Sequence, residues 1–167
     1  MSKGKSQIFI LDADSWISSY EQRYLPEVFP KLWDILRGHA ADEVIRTPRQ
    51  ALKETGEGKS GLSAWLRTVQ PTIVLKETPR VVSSMNRVTE RIPSLTRGIE
   101  DSAAPWLVAH ALNLSSAVVV TEETPSTGGN PKIPDVCASF EVPSITMVTM
   151  FRRFSICWKW ASPVHRN

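Results

Sequence analysis

The chain has 167 residues, is 41% apolar and 22% charged, and carries a net charge of +3. That size suits one domain, here residues 1–167 with a core at 7–154 and a loosely attached tail at 155–167, and it needs no disulfide or metal staple. Two cysteines, a polar start without an apolar h-region and no run near 18 apolar residues argue against a disulfide framework, a signal peptide and a membrane span, and for a cytoplasmic protein.

The first element is Ile8–Leu11, a continuous apolar run of the kind that makes a strand buried on both faces. It stops at Asp12, with Asp14 and Ser15 directly behind, and a short helix follows over Ser15–Gln22. Pro30 opens a helix to about Ala40, in which Leu32, Trp33 and Leu36 recur at core spacing. Glu43–Arg46 reads as a short strand. Thr47 and Pro48 then read as N-cap and first residue of a helix that ends near Glu54. Helix resumes over Leu62–Val69, and Thr78-Pro79 starts another that reaches about Ile92.

Asp101-Ser102 opens the next helix, which carries Trp106, Leu107 and His110 and stops around Asn113. Ala117–Val120 is a second buried apolar run, and it ends in Thr121, Glu122 and Glu123. Pro134-Asp135 starts a short helix, Ser144–Val148 is a last strand, and a basic helix containing Arg152 and Arg153 follows. Strands alternating with helices give an α/β fold with a parallel sheet between helical layers and right-handed crossovers.

In open parallel sheets, ligands sit at the carboxyl ends of the strands. Two buried strands here end in acids, Asp12 and Glu123, and the helix after the Glu43–Arg46 strand carries Glu54, so these side chains can meet at one sheet edge. A helix cap would need one oxygen-bearing side chain after Leu11, where three stand close together. Like charges about 4 Å apart repel by roughly 4 kcal/mol at an effective dielectric of 20, so such a cluster asks for protons or a cation. No His or Cys accompanies the acids, which disfavours zinc; an all-oxygen set suits Mg²⁺ or Mn²⁺ and phosphoryl-transfer or nuclease chemistry.

Five segments in order resemble PIN domains, nearest the PIN-like branch related to VapC-type toxins. They are Ile-Leu-Asp-Ala-Asp-Ser-Trp-Ile (10–17), Ala-Leu-Lys-Glu (51–54), Pro-Trp-Leu-Val-Ala-His-Ala (105–111), Val-Val-Thr-Glu-Glu (119–123) and Lys-Ile-Pro-Asp-Val-Cys (132–137). The resemblance covers about residues 7–154. It implies a three-layer α/β/α sandwich with about four to five parallel strands. It also implies a Mg²⁺- or Mn²⁺-dependent ribonuclease, the toxin of a toxin–antitoxin pair, with RNA as substrate and an antitoxin protein as partner; homo-oligomers fit this reading.

Carried over residue by residue, the resemblance makes Asp12, Glu54, Glu123 and Asp135 the metal-binding and catalytic acids, with Asp14, Ser15 and Thr121 in support. One position departs: the family pattern has aspartate immediately before Pro-Trp-Leu, and Ala104 stands there. Asp101, one helical turn earlier, is a poor substitute, so the resemblance implies a chain short of one ligand and catalytically impaired.

Weaker signals have plainer explanations beside them. Arg49, Lys53 and Lys59 lie near the acidic edge and could meet RNA phosphates, or simply be solvated. Gly56-Glu57-Gly58-Lys59-Ser60 is similar to the end of a P-loop but follows a helix and lacks a glycine at Lys53, so a hinge loop is the better reading. Asp12-Ala13-Asp14 after a strand also fits haloacid-dehalogenase-type phosphatases, with Asp12 as nucleophile and Asp14 as acid/base; Lys132 and Asp135 make a poor version of their later motifs. A non-catalytic PIN-fold binding protein is the third alternative. Trp33, Trp65 and Trp106 are expected in or near the core, and Trp16 or Trp158, if exposed, could stack bases.

Overall fold

A computed structural model describes residues 7–56, 60–95 and 102–156. Its centre is a five-stranded, all-parallel sheet of β1 (Ile8–Leu11), β2 (Ile45–Pro48), β3 (Val74–Leu75), β4 (Ala117–Val120) and β5 (Ser144–Ile145). The spatial order is β3-β2-β1-β4-β5, with Ile8 to Leu11 in register against Ala117 to Val120. Among the described residues, the helices that flank the sheet are α1 (Ala13–Ser18), α2 (Pro30–Ala41), α3 (Arg49–Glu54), α4 (Gly61–Ile73), α5 (Pro79–Arg91), α6 (Ala103–Asn113), α7 (Ile133–Ser139) and, after the last strand, α8 (Met147–Arg153). This is the three-layer α/β architecture expected from the sequence.

Strand alternation divides the core in two, because successive side chains of a strand point to opposite faces. Phe9, Leu11, Val118 and Val120 pack with Trp16, Trp33, Leu36, Leu62, Trp65 and Met150 from α1, α2, α4 and α8. Ile10 and Val119 face the other way and pack with Val88, Leu107, Val108 and Val136 from α5, α6 and α7. Both sheet faces are therefore covered, which is why β1 and β4 read as unbroken apolar runs.

The chain leaves β1 toward β2 on one side, while β4 lies on the other. The switch point of this sheet lies between the carboxyl ends of β1 and β4, where Asp12 and Thr121–Glu123 emerge.

Several local readings need correction. Thr47 and Pro48 do not start a helix; they finish β2, paired with Val74 and Leu75, and the Thr47 hydroxyl donates to the Leu11 carbonyl at 2.8 Å instead of capping α3. The last strand stops at Ile145, since the Thr146 hydroxyl accepts from the Thr149 amide and caps α8. Pro71 lies inside the last turn of α4, and β3, two residues long, follows. The helix after Asp12 continues as a π-helical turn over Ser19–Arg23. Trp16 is fully buried against Trp65, so it offers no base-stacking surface. Trp33 and Trp65 are buried as expected. Asp101, Lys59 and Trp158 lie outside the described residues, as does most of the P-loop-like stretch.

Candidate active site

Asp12 ends β1 and is 3% exposed. Its Oδ1 accepts the Ser15 amide at 2.7 Å and caps α1, so the plain capping role is real. Its other oxygen, Oδ2, accepts the Thr121 hydroxyl at 2.5 Å from the end of β4. Thr121 Oγ1 in turn accepts the Glu123 amide at 3.2 Å. A chain of two hydrogen bonds thus fixes the Glu123 backbone relative to the Asp12 carboxylate. Burial pushes the Asp12 carboxyl up from 3.8 to about 6, against the opposing effect of the Ser15 and Thr121 hydrogen bonds.

Glu54, the last residue of α3, sends Oε1 to the amide of Ala103 at 2.8 Å, at the first position of α6. The α6 N-cap, Ser102, makes no side-chain cap, so Glu54 supplies one from another helix. Glu123 does the same for α7, its Oε2 accepting the Ile133 amide at 2.8 Å. Burial raises the Glu54 carboxyl above its usual range; the Ala103 bond pulls it back and the Glu123 charge adds to the rise. Glu54 and Glu123 therefore feel each other's charge.

These residues line one cavity of about 280 Å³, together with Asp14, Ala104, Ser102 and Lys132. Acids separated by tens of residues in sequence meet where the topology puts the ligand site of an open sheet. Ala104 lies in the same wall.

The structure does not bring every expected residue here. Asp135 is absent from the cavity lining; its Oδ2 accepts the amides of Ser126 at 2.9 Å and Lys132 at 2.8 Å, which closes the loop and caps the start of α7. Those two bonds hold its carboxyl below the usual range. Its spacing within Lys-Ile-Pro-Asp-Val-Cys is that of a helix-start acid, three residues after the N-cap. Ser15 also stays out of the cavity: its amide holds Asp12, and its buried hydroxyl donates to the Val120 carbonyl at 3.2 Å, tying α1 to β4. Arg49 and Lys53 line a separate groove on the other flank of α3.

Two residues hold places that the sequence reading did not give them. Lys132 is a cation in the acidic lining. Glu122 pairs with Arg23 and accepts the Met147 amide at 2.8 Å, so it anchors the end of β4 from the face opposite Glu123. The alternation of a strand end could have separated the two glutamates in advance.

As to fit, the donors are hard carboxylate oxygens, with no His or Cys in the lining. That chemistry suits Mg²⁺ or Mn²⁺, and Mg²⁺ is commonly held by one or two carboxylates with waters completing its shell. Among the described residues, no three His, Cys, Asp or Glu side chains are grouped closely enough to hold a metal ion. Glu54 and Glu123 each give one oxygen to a helix amide, and an alanine stands at position 104. Cys137, buried and pushed up to about 12 by burial, is inert as a nucleophile or ligand.

Residues 9–157 match the model of a family described as a domain of unknown function, DUF4411. The chain belongs to this family. The DUF4411 match spans all the segments that build the cavity. Among curated proteins no sequence relative is found. The chain is also similar to VapBC2 from Rickettsia felis, solved in complex with a DNA fragment from their promoter. The identity is 10%, the match covers 84% of this chain and 98% of that one, and the TM-score is 0.48.

Proposed function

We propose that this chain is a PIN-like, Mg²⁺- or Mn²⁺-dependent endoribonuclease, the toxin of a toxin–antitoxin pair, in a form weakened by Ala104. The observation that carries this reading is the convergence of Asp12, Glu54 and Glu123, with Asp14 and Ala104, on one cavity at the switch point of a parallel sheet. The sequence resemblance to PIN domains supplies the substrate, RNA, and the partner, an antitoxin protein.

In this reading one or two of Asp12, Glu54 and Glu123 would hold the ion, with water completing its shell, and Asp14 would support it at the cavity wall. When bound, the ion would neutralise phosphate charge and make water a better nucleophile. The chain's own groups do the rest. Thr121 and the Ser15 amide keep the Asp12 carboxylate in place and favour its charged form. Lys132 is available to a phosphate oxygen at the cavity.

The phosphatase alternative is disfavoured by a specific observation. Asp12 would have to attack phosphorus, yet it is nearly fully buried with both oxygens engaged. Asp135, the acid that mechanism would also want, is outside the cavity.

The test is RNA cleavage by the chain and by Ala104→Asp, each with and without Mg²⁺ or Mn²⁺. The expected result is metal-dependent cleavage that rises strongly in Ala104→Asp. Equal cleavage by the two forms would refute the weakening by Ala104; no metal-dependent cleavage in either would favour a non-catalytic binding protein.

A further inference from the structure

Two cavities of opposite charge lie beside α3. On one flank is the acid-lined cavity that ends with Glu54; on the other, Lys53 and Arg49 line a groove between α3 and α4 with a volume of about 350 Å³. From α4 the groove adds Arg67 and Gln70, and Leu52 and Leu66 give it an apolar part. Among the described residues no acidic side chain lines it. Among the described residues neither Arg49 nor Arg67 has an acidic partner, and both are exposed. Its volume falls within the range of small-molecule sites, about 300–1,000 Å³.

A polyanion cannot approach four carboxylates without help from elsewhere, and Arg49 and Lys53 on α3 with Arg67 on α4 supply it. Charge alone would suit any anion. The apolar part and the planar guanidinium of Arg67 point further, because unpaired bases are held by stacking on such planes and by amide hydrogen bonds to their edges. Gln70 offers the amide.

We propose that the groove between α3 and α4 is a nucleotide-reading subsite, which takes one unpaired base and its phosphate from single-stranded RNA that enters the acidic cavity. Arg67 and Gln70 read the base, and Arg49 and Lys53 hold the phosphate. The inference rests on the nuclease reading for the choice of RNA, but its test is separate from cleavage.

The experiment is binding of a short, fluorescently labelled single-stranded RNA of mixed sequence, followed by anisotropy in EDTA so that no metal chemistry contributes. Arg67→Ala and Gln70→Ala are compared with the unaltered chain and with Arg67→Lys; both positions are exposed, and circular dichroism verifies folding. The expected result is about tenfold weaker binding for Arg67→Ala, with Arg67→Lys intermediate and its salt dependence retained. Inorganic polyphosphate and polyglutamate should compete poorly. Unchanged binding by Arg67→Ala, full rescue by Arg67→Lys, or competition by either polyanion equal to that of RNA would overturn the proposal. RNA binding through the groove without cleavage by Ala104→Asp would sink the nuclease reading alone; cleavage with binding indifferent to Arg67 would sink this one alone.

Discussion

Glu54 Oε1 accepts the backbone amide of Ala103 at 2.8 Å, so the acid at the end of α3 caps the helix whose second residue is Ala104. A proposed ligand position is therefore joined to the residue before the proposed loss, since Glu54 bonds the amide next to Ala104. Asp12 and Glu123 repeat the arrangement at the starts of α1 and α7. Three helix N-termini surround the acids, and their partial positive charge offsets part of the repulsion. Burial is the larger cost, and it raises the carboxyls of both Asp12 and Glu54.

That cost predicts a trade between stability and function at Asp12. In Asp12→Asn an amide of the same shape replaces a buried charge, and the Thr121 hydroxyl can turn to accept from it. A displacement from 3.8 to about 6 corresponds to roughly 3 kcal/mol, so without metal the variant should gain about 1–3 kcal/mol at neutral pH. Urea unfolding in EDTA measures this. A loss of stability of similar size would mean that the carboxylate is structural.

Asp135→Ala separates a cap from a ligand. Its carboxylate holds the Ser126 and Lys132 amides, so the variant should melt at a lower temperature while divalent-ion affinity stays within twofold of the original, an order-of-magnitude bound for a group outside the site. Thermal melts and metal titration on the same samples check both halves. A large loss of metal affinity with unchanged melting would restore Asp135 to the site.

His110 sets an acid limit on stability. It is buried on α6, and burial lowers its pKa from 6.5 to about 4, with Glu77 raising it and Arg46 lowering it. Above 6.5 the ring is neutral in both states and contributes nothing. Below 6.5 the unfolded chain takes the proton and the folded one does not, so stability falls by up to about 1.4 kcal/mol per unit until pH 4. His110→Leu should flatten that part of the stability profile. Identical pH slopes for the two proteins between 6.5 and 4 would contradict it.

The fold was legible where one physical cause acted alone. Burial on both faces wrote β1 and β4 as apolar runs, and Thr78 and Pro79 wrote the start of α5, where the Thr78 hydroxyl accepts from the Val81 amide. It was illegible where two causes competed. Thr47-Pro48 has the chemistry of a helix start, but pairing with β3 and the bond to Leu11 claimed it for β2. β3 and β5 are two-residue strands, too short to show a period. At the site, Asp12, Glu54 and Glu123 could be placed because strand ends and one helix end fix them. Asp135 could not, since cap and ligand have the same spacing from the helix start. Ser15 was read as a site hydroxyl because the sequence does not show that it turns inward to Val120.

The central claim, a proposal, is that the cavity lined by Asp12, Glu54 and Glu123 takes one divalent ion, and that Ala104 leaves a place there for another ligand. Titration with Mn²⁺, followed by electron paramagnetic resonance, tests it most directly. Binding should be weak in the chain itself, at least about tenfold tighter in Ala104→Asp, and lost in Asp12→Asn and Glu123→Gln. Mn²⁺ binding that is the same in all four proteins would contradict the account.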